Sequence, residues 1–223
     1  MKTAINIMVD LETMSSAPNA AIVAIGATTF GNGEGARSFF QRAVHLNSSH
    51  GEGLHIDPNT VVWWLRQPQP IINATFNTGE AVGLREALES FSEWVHAVGR
   101  EQEVLLWGNG AAFDNVVLRS AYTALGLPAP WSFRGDRCYR TIKATAPHII
   151  APVNDRPHEA LSDAITQARH LEAIWQARGA SPPPEPAPLL FGSRGNCGGY
   201  DGGMMTHEEP LLNPADAKTG DMR

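Results

Sequence analysis

Ala4-Ile5-Asn6-Ile7-Met8-Val9-Asp10-Leu11-Glu12-Thr13 decides the fold. Ala4 to Val9 is an apolar run of the kind that forms a buried strand. A carboxylate at the end of such a strand is costly unless something pairs with it. Side chains alternate along a strand, so Asp10 and Glu12 point to one side and Leu11 to the other. Two neighbouring carboxylates repel unless a cation or a shared proton holds them. Hard oxygen ligands suit Mg²⁺ or Mn²⁺. Alone, the stretch also fits a solvated strand end bearing two surface acids.

Working outward, 223 residues allow one large domain, or a domain with a tail. A composition of 43% hydrophobic and 18% charged residues is that of a globular protein with a core. The net charge of -6 argues against a protein that coats nucleic acid non-specifically. It leaves room for an enzyme that grips a nucleic-acid end beside an acidic metal site. Cys138 and Cys197 show neither metal-ligand spacing nor a disulfide framework, which points to a reducing cytoplasm. The N-terminal apolar run is too short for a signal sequence or a membrane span, so no membrane partner is expected.

After the first strand, Ser15 to Asn19 is a turn-rich break, and Ala20 to Phe30 is predicted as a second strand. Gly31-Asn32-Gly33 signals a hairpin into a third strand, Arg37 to Val44. Asp57-Pro58 starts a helix carrying Val61, Val62, Trp63, Trp64 and Leu65. A longer helix is predicted from Glu80 to Val98, and Val104 to Trp107 reads as a short buried strand. Phe113 to Leu125 is amphipathic and stops at Gly126, Cys138 to Ile142 is expected as one more short strand, and His158 to Arg178 is the last helix. Three strands followed by alternating helices and strands imply an α/β fold with a mixed sheet. Ser181 to Pro188 is proline-rich and Gly192 to Gly203 glycine-rich, so residues 1–179 are read as the domain and residues 180–223 as a tail without its own core.

Two later acidic sites give Asp10 and Glu12 their meaning. Trp107 to Asn115 runs from a strand through small residues into a helix, placing Asp114 in the first turn, where the dipole favours a negative group. Further on, Pro157-His158-Glu159-Ala160-Leu161-Ser162-Asp163-Ala164 opens the last helix. Glu159 and Asp163, four apart, share a helix face. His158 and Asp163 would diverge by about 140° on one helix. They meet only if His158 lies on the loop before it, a break that Pro157 favours.

Together, Asp10-x-Glu12, Asp114, and His158 with Asp163 resemble the DEDD exonucleases of the subtype with a histidine, the DnaQ-like 3′-5′ exonucleases on a ribonuclease H-like fold. The resemblance spans about residues 1–178. Asp10-Leu11-Glu12-Thr13 matches the first motif, Asn109 with Phe113-Asp114 the second, and His158-x-Ala160-Leu161-x-Asp163-Ala164 with Gln167-Ala168 the third. Trp63-Trp64 and Arg140-Thr141 are similar to the branch of phage exonucleases and exodeoxyribonuclease VIII.

The resemblance implies a five-stranded mixed sheet flanked by helices, three antiparallel strands first and parallel strands added. It implies metal-dependent 3′-5′ hydrolysis of DNA, with Asp10, Glu12, Asp114 and Asp163 holding two Mg²⁺ or Mn²⁺ ions per site. His158 is the expected general base, since its ordinary pKa near 6.5 suits proton transfer at neutral pH. The partner would be a DNA 3′ end and the product a nucleotide monophosphate. Substrate contacts are expected from Leu11, Thr13, Asn109, Phe113 and Arg140, with Trp64 as a stacking surface for a terminal base. Arg134, Arg137, Lys143 and Arg156 are further candidates for phosphate contact, or a solvated charged loop. Nothing in the sequence reads a 2′-hydroxyl, so short RNA is an alternative substrate. A catalytically silent binding module is a second alternative, against which the five catalytic residue types count.

Overall fold

The computed structural model describes residues 4–31, 37–76 and 79–179. The tail expected over residues 180–223 and the hairpin tip at Asn32-Gly33 lie outside the described residues. The sheet has five strands: β1 (Ala4–Thr13), β2 (Ile22–Phe30), β3 (Phe39–Ala43), β4 (Glu103–Gly108) and β5 (Asp136–Cys138). Their order is β3-β2-β1-β4-β5. The β1–β2 and β2–β3 pairs are antiparallel, and β4 and β5 are added in parallel. This is the mixed α/β sheet expected from the sequence, with β1 at its centre.

Alternation along β1 divides the interior in two. Ile7, Val9 and Leu11 face a core built with α4 (Leu84–Gly99) and α5 (Asp114–Ala124), through residues such as Leu88, Phe91, Val117 and Leu118. Met8 faces a second, thinner core under α7 (Ala160–Ala177), with Phe30, Trp107, Ala164, Ala168 and Leu171. Asp10 and Glu12 continue the Met8 side and so point towards α7. Trp175 stacks on Phe30 at 5.5 Å, and the buried side-chain Oδ1 of Asn6 accepts from the Trp107 indole N–H at 2.9 Å.

Local chemistry explains most boundaries. α2 (Pro58–Leu65) starts where the Asp57 carboxylate accepts from the Asn59 N–H, with Pro58 at the first helical position. α4 begins at Leu84 rather than at Glu80, because Val82 is held in a bridge with Val44. Its cap is borrowed, as the Ser48 hydroxyl accepts from the Leu84 N–H. Two further short helices, α1 (Leu46–Gly51) and α3 (Gln69–Phe76), fall between the elements expected from the sequence.

The strand expected at Cys138 to Ile142 is displaced. β5 ends at Cys138, and α6 (Tyr139–Ala144) follows. Tyr139 and Ile142 stand three apart and pack on the second core, a helical spacing that a strand would split between two faces. No described helix is long and apolar enough to cross a membrane.

Candidate active site

The site forms where the C-terminal ends of β1 and β4 meet the start of α7. Asp10 lies opposite Gly26 across the β1–β2 pair, and Glu12 opposite Ala24. A Cβ on Gly26 would sit 2.1 Å from the Leu161 nitrogen and 2.2 Å from the Ala160 carbonyl carbon. The absence of a side chain there lets the first turn of α7 rest on β2. Ala160, Ala164 and Ala168, at four-residue spacing, keep the helix close along its length.

α7 then presents Asp163 and Gln167, four apart on one face, to the acids of β1. The Gln167 amide N–H donates to Asp10 Oδ1 at 2.7 Å. Asp114 enters from the first residue of α5, after the turn in which Gly110 O accepts from the amides of Phe113 and Asp114. Gly108 makes room, since a Cβ there would lie 2.5 Å from Asn115 Oδ1 and 3.0 Å from Asp114 Oδ2. His158 stands outside the helix, as the separation from Asp163 required. Its backbone is left-handed, φ 62°, and its N–H donates to Asp163 Oδ2 at 2.8 Å.

Asp10, Leu11, Glu12, Asn109, Phe113, Asp114, Arg140, His158, Asp163 and Gln167 line one pocket of about 260 Å³. Burial, then the charges of Asp114, Glu12 and Asp163, hold the Asp10 carboxyl well above the usual range. Burial, then Asp163 and Asp114, pushes Glu12 up to about 8. Burial also raises Asp114, against the pull of nearby backbone amides and Arg140. Asp163 is raised by burial too, despite its bonds from the His158 N–H and Asn154. Four crowded carboxylates that resist ionising call for a cation.

The donor set fits a divalent ion. Asp114 Oδ2 is buried with no hydrogen-bond partner among the described residues, and all the carboxylate donors are hard oxygens. Glu12, His158 and Asp163 each offer one ligand atom within 4.8 Å of the others. The arrangement can hold cations, and with them phosphate oxygens, against an imidazole.

Several expected contacts sit elsewhere. Trp64 is 3% exposed and its indole N–H donates to Thr13 O, so it has no open face for a base. The exposed partner is Trp63, at 42%, whose ring meets that of His158 edge to face at 5.2 Å. Adjacent helical positions diverge by about 100°, and the one turned inward is Trp64. The Thr13 hydroxyl donates to Ser15 O, and Thr13 does not line the pocket. Of the basic candidates, only Arg140 lines it, with its guanidinium on Asn109 O. Arg137 donates to the carbonyls of Arg134 and Asp136, Arg134 and Lys143 lie over Phe133 and Tyr139, and Arg156 pairs with Glu159.

Gln167 stands in the sequence as part of the third motif, but its bond to Asp10 is shown only by the structure. Gly26 carried no signal, because its meaning lies in the helix packed over it.

The nuclease domain of 3′hExo, a DEDDh family member bound to rAMP, is similar in fold. Its TM-score is 0.53 at 14% identity, covering 79% of this chain and 93% of that one. A full-length 3′-exonuclease gives 0.47 at 12% identity, over 81% of this chain and 85% of its own. No curated protein matches the chain in sequence. The family model of the 3′-5′ exoribonuclease Rv2179c-like domain matches residues 5–175, which include all five acid and histidine positions. The chain therefore belongs to the Rv2179c-like domain family and is a 3′-5′ exonuclease, with a ribonuclease H-like fold similar to that of the DEDDh nuclease domain of 3′hExo.

Proposed function

We propose that Asp10, Glu12, Asp114 and Asp163 hold two divalent ions, Mg²⁺ or Mn²⁺, and that His158 is the general base for 3′-5′ removal of single nucleotides. When bound, the ions neutralise phosphate charge and lower the pKa of water. The observation that carries this reading is the convergence of four carboxylates and one imidazole on a single small pocket. Gln167 orients the Asp10 carboxylate. Asn109 and Arg140 border the entry, where Arg140 is available to a backbone phosphate. His158 accepts the proton released by the attacking water. Trp63 takes the stacking role first expected of Trp64. The product is a nucleoside monophosphate.

We propose RNA as the first substrate. The family description names an exoribonuclease, and the similar 3′hExo domain is bound to rAMP. DNA is the second reading, supported by the likeness of Trp63-Trp64 and Arg140-Thr141 to the phage exonuclease and exodeoxyribonuclease VIII branch. We place the enzyme in a reducing cytoplasm on its sparse cysteines. Residues 180–223 are dispensable in this reading, which a truncation after Gly179 tests.

The main experiment follows 5′-labelled single-stranded RNA, single-stranded DNA and duplex with Mg²⁺ or Mn²⁺. A ladder shortening from the 3′ end, faster on RNA, is expected. Near-normal turnover by Asp114→Ala would overturn the metal-ligand assignment.

A further inference from the structure

We propose that Asn154 is a positioning residue, which holds the His158 loop in its working conformation by gripping the Asp163 carboxylate. The inference rests on His158 being the general base. His158 is in the left-handed region, which is unfavourable for a residue with a Cβ. Something must hold it there. Burial does not hold the loop before it, because Val153 is 87% exposed and Asp155, Arg156 and Pro157 are exposed as well.

A polar hub does. The Asn154 side-chain N–H donates to Asp163 Oδ1 at 2.8 Å, while Asp163 Oδ2 accepts from the His158 N–H at 2.8 Å. Asn154 Oδ1 accepts from the Ser162 hydroxyl at 2.6 Å and from the Arg156 N–H at 3.0 Å. The amide orientation is forced, because the carboxylate needs a donor while the Arg156 N–H needs an acceptor. One side chain thus ties the loop at Arg156 to the first turn of α7 and to the carboxylate that carries His158. Each Asp163 oxygen has a second lone pair, so the hub leaves Asp163 able to meet a cation.

Two weaker contacts complete the seat. The Thr75 hydroxyl approaches the His158 carbonyl at 3.4 Å, and the imidazole meets the rings of Trp63 and Trp64 edge to face. Asn154 itself does not line the pocket. Its effect on turnover therefore passes through the groups it holds, the His158 loop and Asp163, and not through direct contact with substrate.

The test is a double-mutant cycle in the full chain, using single-stranded RNA and DNA with Mg²⁺. Asn154→Ala is expected to lower kcat by roughly 10²-fold, the cost of misplacing a reacting group by an ångström, with KM unchanged. In a His158→Ala background the same change is expected to add nothing. Asn154→Asp keeps the acceptor for Ser162 and Arg156 but loses the donor to Asp163, and is expected to stay slow. Amide hydrogen exchange in EDTA gives a readout free of turnover: the Arg156 and His158 amides lose protection in Asn154→Ala. The inference is overturned if Asn154→Ala slows the His158→Ala enzyme by the same factor, changes KM instead of kcat, or leaves the His158 amide protected. If His158→Ala is itself close to wild type, the general-base reading fails and takes this inference with it, a result distinct from the other three.

Discussion

Gly26 lies directly opposite Asp10 in the sheet, and the space its side chain would fill is occupied by the backbone of Ala160 and Leu161. The position therefore sets how closely the helix bearing Asp163 approaches the strand bearing Asp10. Gly26→Ala forces the first turn of α7 away, because the obstructing atoms are backbone and cannot rotate aside. The expected outcome is a loss of about 1–3 kcal/mol, the usual cost of overpacking, and a larger loss of activity than that cost explains. Urea unfolding and initial rates, measured on one preparation, check it. An active Gly26→Ala enzyme of unchanged stability would show that α7 has slack over β2.

The four carboxylates make the metal-free protein pH-sensitive in a defined direction. Their folded values lie above the ordinary ones, Glu12 rising from 4.5 to about 8. At pH below the ordinary values the groups are protonated in both states and carry no penalty. As pH rises towards 8, the folded state must ionise them against burial and one another, and stability falls. In EDTA the melting temperature is expected to drop from pH 5 to pH 8. Mg²⁺ or Mn²⁺ should recover it at pH 8, and Asp10→Asn should flatten the profile. A flat profile for the wild type would refute the crowding.

His158 and Glu159 separate sharply as candidate bases. Glu159 is turned to Arg156 at 2.9 Å and Gln41 at 3.4 Å, while His158 lines the pocket. His158→Ala is expected to lower kcat by roughly 10²- to 10⁴-fold, and His158→Asn to behave alike, since neither accepts the proton. Glu159→Gln should be mild. Steady-state kinetics on a labelled oligonucleotide decide it, and a more damaging Glu159→Gln would reverse the assignment.

The two neighbouring tryptophans should fail differently. Trp64→Ala removes a buried ring and the donor to Thr13 O beside the acidic strand end. It should cost about 3–5 kcal/mol. Trp63→Ala should leave stability nearly unchanged and raise KM for single-stranded substrates, the stacking of one base being worth about 1–3 kcal/mol. Chemical denaturation and KM measurements on both variants check the division. A stable Trp64→Ala protein with raised KM would return the stacking role to Trp64.

Much of this enzyme was legible in its residues because the informative patterns are local. The apolar run ending in Asp10-x-Glu12 dictated a buried strand with both acids on one side, since alternation is a property of the strand itself. Asp57-Pro58 and the stop at Gly126 dictated helix ends through capping and backbone conformation, and the order of elements dictated a mixed sheet. Tertiary structure decided what those faces meet. A period of 3.6 residues separates Trp63 from Trp64 but does not say which turns inward; the seat beneath β1 and α3 does. The spacing of His158 and Asp163 required a break before the helix, yet the left-handed turn and its Asn154 hub arise only once loop and α7 fold together. Gly26 could not announce itself at all, because the reason for its missing side chain lies 134 residues away at Ala160, on a helix whose backbone packs directly over β2.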